Sequence, residues 1–128
     1  LPAVRNGDLI NTSGMTPRKA WVLIYSGEIG VDAPVENHRD AVRLATSNAL
    51  TAAKTCLKEG EEIALTLQLN VYLNTEPEFT SHPKIADFAS EFLIEQLGEG
   101  CIGSRAAIGV ASLPSDEPVE ISMIAKVG

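Results

Sequence analysis

Cysteine is scarce: Cys56 and Cys101 are the only two in 128 residues. That is too few for a disulfide framework, and a reducing compartment is the simpler expectation. Aromatic side chains are few as well. Trp21, Tyr25, Tyr72, Phe79, Phe88 and Phe92 are all there are, so the core must be mostly aliphatic. Basic charge is in deficit, with 10 Lys and Arg against 17 Asp and Glu and a net charge of −7. Nucleic acid is therefore not an expected partner, because a grip on phosphate needs many Lys and Arg contacts. An anionic membrane surface is disfavoured for the same reason. Apolar runs such as WVLIY (Trp21–Tyr25) fall far short of the ~20 residues that span a bilayer. No charged segment followed by an apolar one opens the chain, so a cytoplasmic protein is expected. Without repeats, low-complexity tracts or Gly/Ser linkers, residues 1–128 read as one domain.

What is present is pattern. Gly7–Ser13 (GDLINTS) and the run WVLIYS (Trp21–Ser26) read as a hairpin-like pair of strands around a Thr16-Pro17 turn. From Val35 to Lys58, Ala41, Ala45, Ala49, Ala52, Ala53 and Cys56 form one stripe of a helix that ends near Gly60. Ile63, Leu65, Leu67, Leu69, Val71 and Leu73 then alternate with Ala64, Thr66, Gln68, Asn70 and Tyr72, a period of two that marks a long strand with one buried face. A second helix is expected from Ser81 to Leu97, with Ile85, Phe88, Ala89, Phe92 and Gln96 on one face and Gly98 and Gly100 beyond its end. Two strands close the chain, one through Arg105–Ala111 and one through Val119–Val127, joined by LPSDEP (Leu113–Pro118). The expected fold is α+β, ordered β-β-α-β-α-β-β, with both helices on one face of a mixed sheet. Its other face would carry Thr66, Gln68, Asn70, Ala107, Gly109, Ala111, Glu120 and Ser122. Small and polar residues of this kind permit the close approach of another sheet, so burial in an oligomer is expected.

Several residues carry candidate chemistry. The planar fork of Arg105 suits a carboxylate, although an Arg at a strand end is also common on surfaces. Glu120 is one of many carboxylates, but on a buried face its proton affinity would rise toward a range useful for proton transfer. Were LPSDEP a simple hairpin turn, Glu120 would pair near Ala111 and Arg105 would lie ~20 Å away. The two could then share a ligand only across a subunit boundary. At Thr12-Ser13-Gly14 a backbone N–H can approach a ligand closely and Ser13 offers a hydroxyl, or the segment is a plain turn. His38 and His82 have no Cys, Asp or Glu at ligand spacing, so no metal site is expected. GxGxxG, Walker A and GxSxG motifs are absent. Cys56 reads as core packing, and Cys101 as a thiol with nothing adjacent to activate it.

These segments resemble the RidA/YjgF family of reactive-intermediate imine deaminases, also labelled L-PSP endoribonucleases. The matching pieces are GDLINTSG, LATSNALTAAK, LTLQLNVYL, SRAAIGVASLP and VEISMIA, in order from about Gly7 to Val127. The resemblance implies a homotrimer with a chorismate-mutase-like fold and clefts between subunits. It further implies that Arg105 holds a substrate carboxylate, that Ser13, Gly14 and Ala107 line the pocket, and that Glu120 positions or activates water. The implied reaction is hydrolysis of an enamine or imine such as 2-aminoacrylate to a 2-keto acid and ammonia, without metal or organic cofactor. Met15, Pro83, Gly103 and Ser122 depart from the family's pattern, which leaves open a non-catalytic trimer that binds small carboxylates. Ribonuclease activity fits least, given the charge.

Overall fold

A computed structural model describes residues 1–128. Strands β1 (Ala3–Asn6) and β2 (Leu9–Thr12) form a hairpin through Gly7-Asp8. A small separate hairpin follows, β3 (Arg18–Lys19) and β4 (Val22–Leu23). Then come α1 (Arg39–Lys54), β5 (Ile63–Asn74), α2 (His82–Leu97), β6 (Ile102–Val110) and β7 (Val119–Val127). The main sheet runs β1-β2-β7-β5-β6, with β6 parallel to β5 and the other pairs antiparallel. It is α+β and mixed, as the periodicities indicate. Both helices pack on the same face of the sheet over one aliphatic core.

The Ala stripe makes this arrangement possible. Ala41, Ala45, Ala49, Ala52 and Ala53 are all buried, and side chains this small let α1 lie close to β2 and β7. On α2 the buried stripe is Ile85, Phe88, Ala89 and Leu93, whereas Gln96, expected on that face, is exposed. Cys101 is buried and donates to the Leu93 carbonyl at 3.5 Å, and burial pushes its thiol pKa up.

Three expectations fail, each for a physical reason. WVLIYS does not enter the main sheet: β2 pairs with the residues before Gly7, and Trp21 is 92% exposed at the tip of the β3–β4 hairpin. Apolar character alone cannot choose between two candidate partners for β2. The perfect alternation of β5 breaks where its register against β7 shifts, between Ile63 and Leu65 and between Thr66 and Gln68. Each irregularity exchanges the faces, so Thr66 points inward and Leu67 is 40% exposed. Gly103 of β6 lies against the Thr66 and Leu67 carbonyls, where no Cβ fits.

The third concerns LPSDEP, which does not close a β6–β7 hairpin. Strand β5 lies between β6 and β7, and the connection crosses its end. There the Asn74 N–H donates to the Pro118 carbonyl at 3.0 Å and Asn74 Nδ2 donates to Asp116 Oδ1 at 3.0 Å.

Candidate functional site

The register decides which face each candidate side chain occupies. Leu69, Val71 and Leu73 point into the core, and in the parallel ladder they pair with Arg105, Ala107 and Gly109. Arg105, Ala107 and Gly109 therefore lie on the helix-covered face, whereas the sequence reading puts Ala107 and Gly109 with Glu120 on the other. Ala107 packs against the core accordingly. On the open face, Ser104 Oγ donates to Gln68 Oε1 at 2.6 Å, Gln68 Nε2 to Asn70 Oδ1 at 3.0 Å, and Asn70 Nδ2 to Ser122 Oγ at 3.2 Å. This ladder runs across β6, β5 and β7. Glu120 stands on the same face, opposite Tyr72 and between the fully buried Val119 and Ile121.

Gly14 and Glu120 come together. After β2 the chain stays beside β7, with Met15 and Ile121 exchanging both backbone bonds at 2.7 and 2.8 Å. A methyl group built on Gly14 would sit 2.6 Å from Glu120 Cδ, so a side chain here would push the carboxylate away from this backbone. Burial, and secondarily the Glu117 carboxylate, raise the Glu120 pKa above its ordinary value. Ser13 follows a different plan: its hydroxyl donates to the Leu1 carbonyl at 2.6 Å.

Arg105 is elsewhere. Its Nη1 donates to Asp87 Oδ1 at 2.9 Å and to Ser90 Oγ at 3.1 Å, both on α2. Two strand spacings, three residues of register and the thickness of the sheet separate it from Glu120. The chain thus assembles Gly14 with Glu120, and Arg105 with Ala107, as two separate groups.

The sequence reading missed the network behind Glu120. Glu117 is 2% exposed and accepts from Arg18 Nη2 at 2.8 Å. Arg18 also donates from Nε to Thr16 Oγ1 and from Nη1 to the Trp21 carbonyl. Asn48 Nδ2 of α1 reaches the Thr16 and Arg18 carbonyls at 2.9 and 2.8 Å. These bonds hold the hairpin in a two-residue turn with φ of 51° at Ala20 and 70° at Trp21, a left-handed geometry unfavourable for both residues. An open groove of about 740 Å³ lies below it, lined by Gly14, Met15, Arg18, Trp21, Asn48 and Thr51 among others. No local motif announces the Arg18–Glu117 pair, because its members are 99 residues apart.

Comparison with known proteins identifies the family and the fold. The family model described as "YjgF/chorismate_mutase-like, putative endoribonuclease" matches residues 2–126. Protein TCP17 of Trypanosoma cruzi is 26% identical over 126 residues, covering 97% of this chain and 78% of its own. The crystal structure of Atu1372 from Agrobacterium tumefaciens, a protein of unknown function, has a TM-score of 0.91 at 30% identity and covers 100% of this chain and 81% of its own. E. coli TdcF, solved with bound serine, shares the fold with a TM-score of 0.64 at 24% identity, covering 98% of this chain and 86% of its own. No helix is long and apolar enough to cross a membrane.

Proposed function

The chain belongs to the YjgF/chorismate-mutase-like family, and from that premise we propose that it is a homotrimeric deaminase, hydrolysing small enamine or imine intermediates of the 2-aminoacrylate type in clefts between subunits. The observation that carries this reading is the half-buried Glu120 carboxylate lying over Gly14 with its proton affinity raised. A carboxylate so placed suits a general base that takes a proton from water and returns it to nitrogen.

Arg105, supplied by a neighbouring subunit, completes the site by holding the substrate carboxylate, beside Ala107. Gly14 and Ser13 line the wall near Glu120. The enamine first takes a proton from water at carbon to become the protonated imine. Water oxygen then bonds to the imine carbon while Glu120 accepts its proton. Glu120 returns that proton to the nitrogen, and cleavage of the C–N bond with loss of the hydroxyl proton to water releases ammonia and leaves the 2-keto acid. Orientation supplies much of the acceleration, because the imine carbon is already electrophilic. The serine of the TdcF structure is a small amino-acid carboxylate, a ligand of the chemical class proposed.

A second reading, carboxylate binding without turnover, is favoured by position 122. Ser122 there accepts from Asn70 and supplies no second carboxylate beside Glu120.

A coupled assay separates the two readings. A PLP-dependent dehydratase generates 2-aminoacrylate from serine, and pyruvate release is followed with wild type, Arg105→Ala and Glu120→Gln. The deaminase reading expects acceleration by wild type and by neither variant. Carboxylate binding that needs Arg105, with no acceleration by the folded assembled wild type, establishes the second reading. Arg105→Lys is expected to be nearly as damaging as Arg105→Ala, since a point charge does not replace a bidentate fork.

A further inference from the structure

The bonds that hold Arg105 say what else its ligand must carry. Nη1 alone makes the contacts to Asp87 and Ser90, which leaves Nε and Nη2 for a ligand. Asp87 is itself 56% exposed, and only its Oδ1 is engaged. A guanidinium with one free edge therefore stands beside a carboxylate with one free oxygen.

We propose that Asp87 makes the Arg105 half-site selective for ligands bearing a cationic nitrogen next to their carboxylate, an amino acid or a protonated 2-imino acid, over uncharged-nitrogen or oxygen analogues. The inference rests on Arg105 as the carboxylate anchor in the proposed function. Its basis is charge balance. Asp87 already neutralises the guanidinium, so a simple monocarboxylate brings the cluster to a net −1 and meets repulsion from Asp87. A zwitterion leaves the cluster neutral and gives Asp87 a charge-assisted hydrogen bond. For an imine hydrolase the consequence is useful. The protonated iminium, the more electrophilic form, is held, while the 2-keto acid product has lost its cationic nitrogen and is released.

The test compares binding of L-alanine and L-lactate, which share a skeleton and differ by an ammonium for a hydroxyl. Affinities are measured by NMR titration on the assembled wild type, Asp87→Asn and Arg105→Ala. The expected result is a wild-type preference for alanine of about tenfold, the size of one charge-assisted contact at a partly exposed site. Asp87→Asn should remove that preference and leave lactate binding equal or tighter, and Arg105→Ala should lose both ligands. An unchanged alanine-to-lactate ratio in Asp87→Asn overturns the selectivity. Equal weakening of both ligands also overturns it, by reducing Asp87 to a prop for Arg105. Binding insensitive to Arg105→Ala, or no binding by wild type, removes the anchor itself and with it the reading of Arg105 in the proposed function.

Discussion

Strands β6 and β7 both pair with β5, both have 9 residues, and each carries one half of the proposed chemistry, yet their surroundings differ sharply. Strand β7 is central, and its residues alternate between buried and half-buried almost to its end. Strand β6 is an edge, exposed along most of its length, with Ile108 49% exposed and Ile102 38%. Glu120 is consequently flanked by fully buried neighbours, near the buried Glu117 carboxylate that Arg18 pairs. Arg105 is held by partly exposed bonds to Asp87 and Ser90 of α2. A long unprotected edge strand is a liability in an isolated chain. The contrast is one of support: Glu120 stands on a central strand packed on both sides, and Arg105 on an open edge.

The largest expected effect comes from breaking the support behind β7. Arg18→Ala strands Glu117 as a buried unpaired charge and should cost about 3–5 kcal/mol, read as a lower denaturation midpoint. The double variant Arg18→Met/Glu117→Leu should recover most of that loss. On the β6 side, Asp87→Asn should change stability by no more than about 1 kcal/mol. Equal losses from Arg18→Ala and Asp87→Asn would erase the distinction between the two halves.

Next in size is Gly103→Ala, which forces a methyl group onto the Thr66 and Leu67 carbonyls. A cost of about 1–3 kcal/mol is expected, as for other overpacked sites, together with weakened β5–β6 pairing seen as faster amide exchange in β6.

Glu120→Gln sharpens the comparison through pH. The folded-state pKa of Glu120 is raised, so its ionisation opposes folding, and wild-type stability falls as pH rises from the ordinary carboxylate value through the raised one. The glutamine variant should therefore be inactive but more stable than wild type at neutral pH, with the gap closing in acid. Glu61 is a control of opposite sign. Arg5, with the Lys58 backbone N–H, holds its pKa down to about 2. The stability it contributes is present above the ordinary value and lost as pH falls toward 2, so Glu61→Gln should be less stable than wild type at neutral pH. Both trends are read from midpoints measured across pH.

The smallest effect is expected at the bulge. Thr66 Oγ1 is buried without a partner, so Thr66→Val, nearly isosteric, should raise stability by up to about 1 kcal/mol. A loss from this variant would mean that the hydroxyl is satisfied after all.

The sequence alone was enough for the α+β class, the Ala-lined first helix, the long strand, the second helix and the two closing strands. Each of these is a local period of side chains, and period is set by backbone geometry that needs no tertiary context. It was also enough to mark Arg105, Glu120 and Gly14 as the residues to follow. The partner of β2, the slip in β5, the place of β5 between β6 and β7, and the opposite faces of Arg105 and Glu120 were decided only by the tertiary structure. Pairing and register depend on which distant strands compete for the same edge, and one irregularity reverses every side chain beyond it. The same holds for Arg18–Glu117 and Arg105–Asp87: attraction between charges depends on distance in space, and nothing in the spacing along the chain records it.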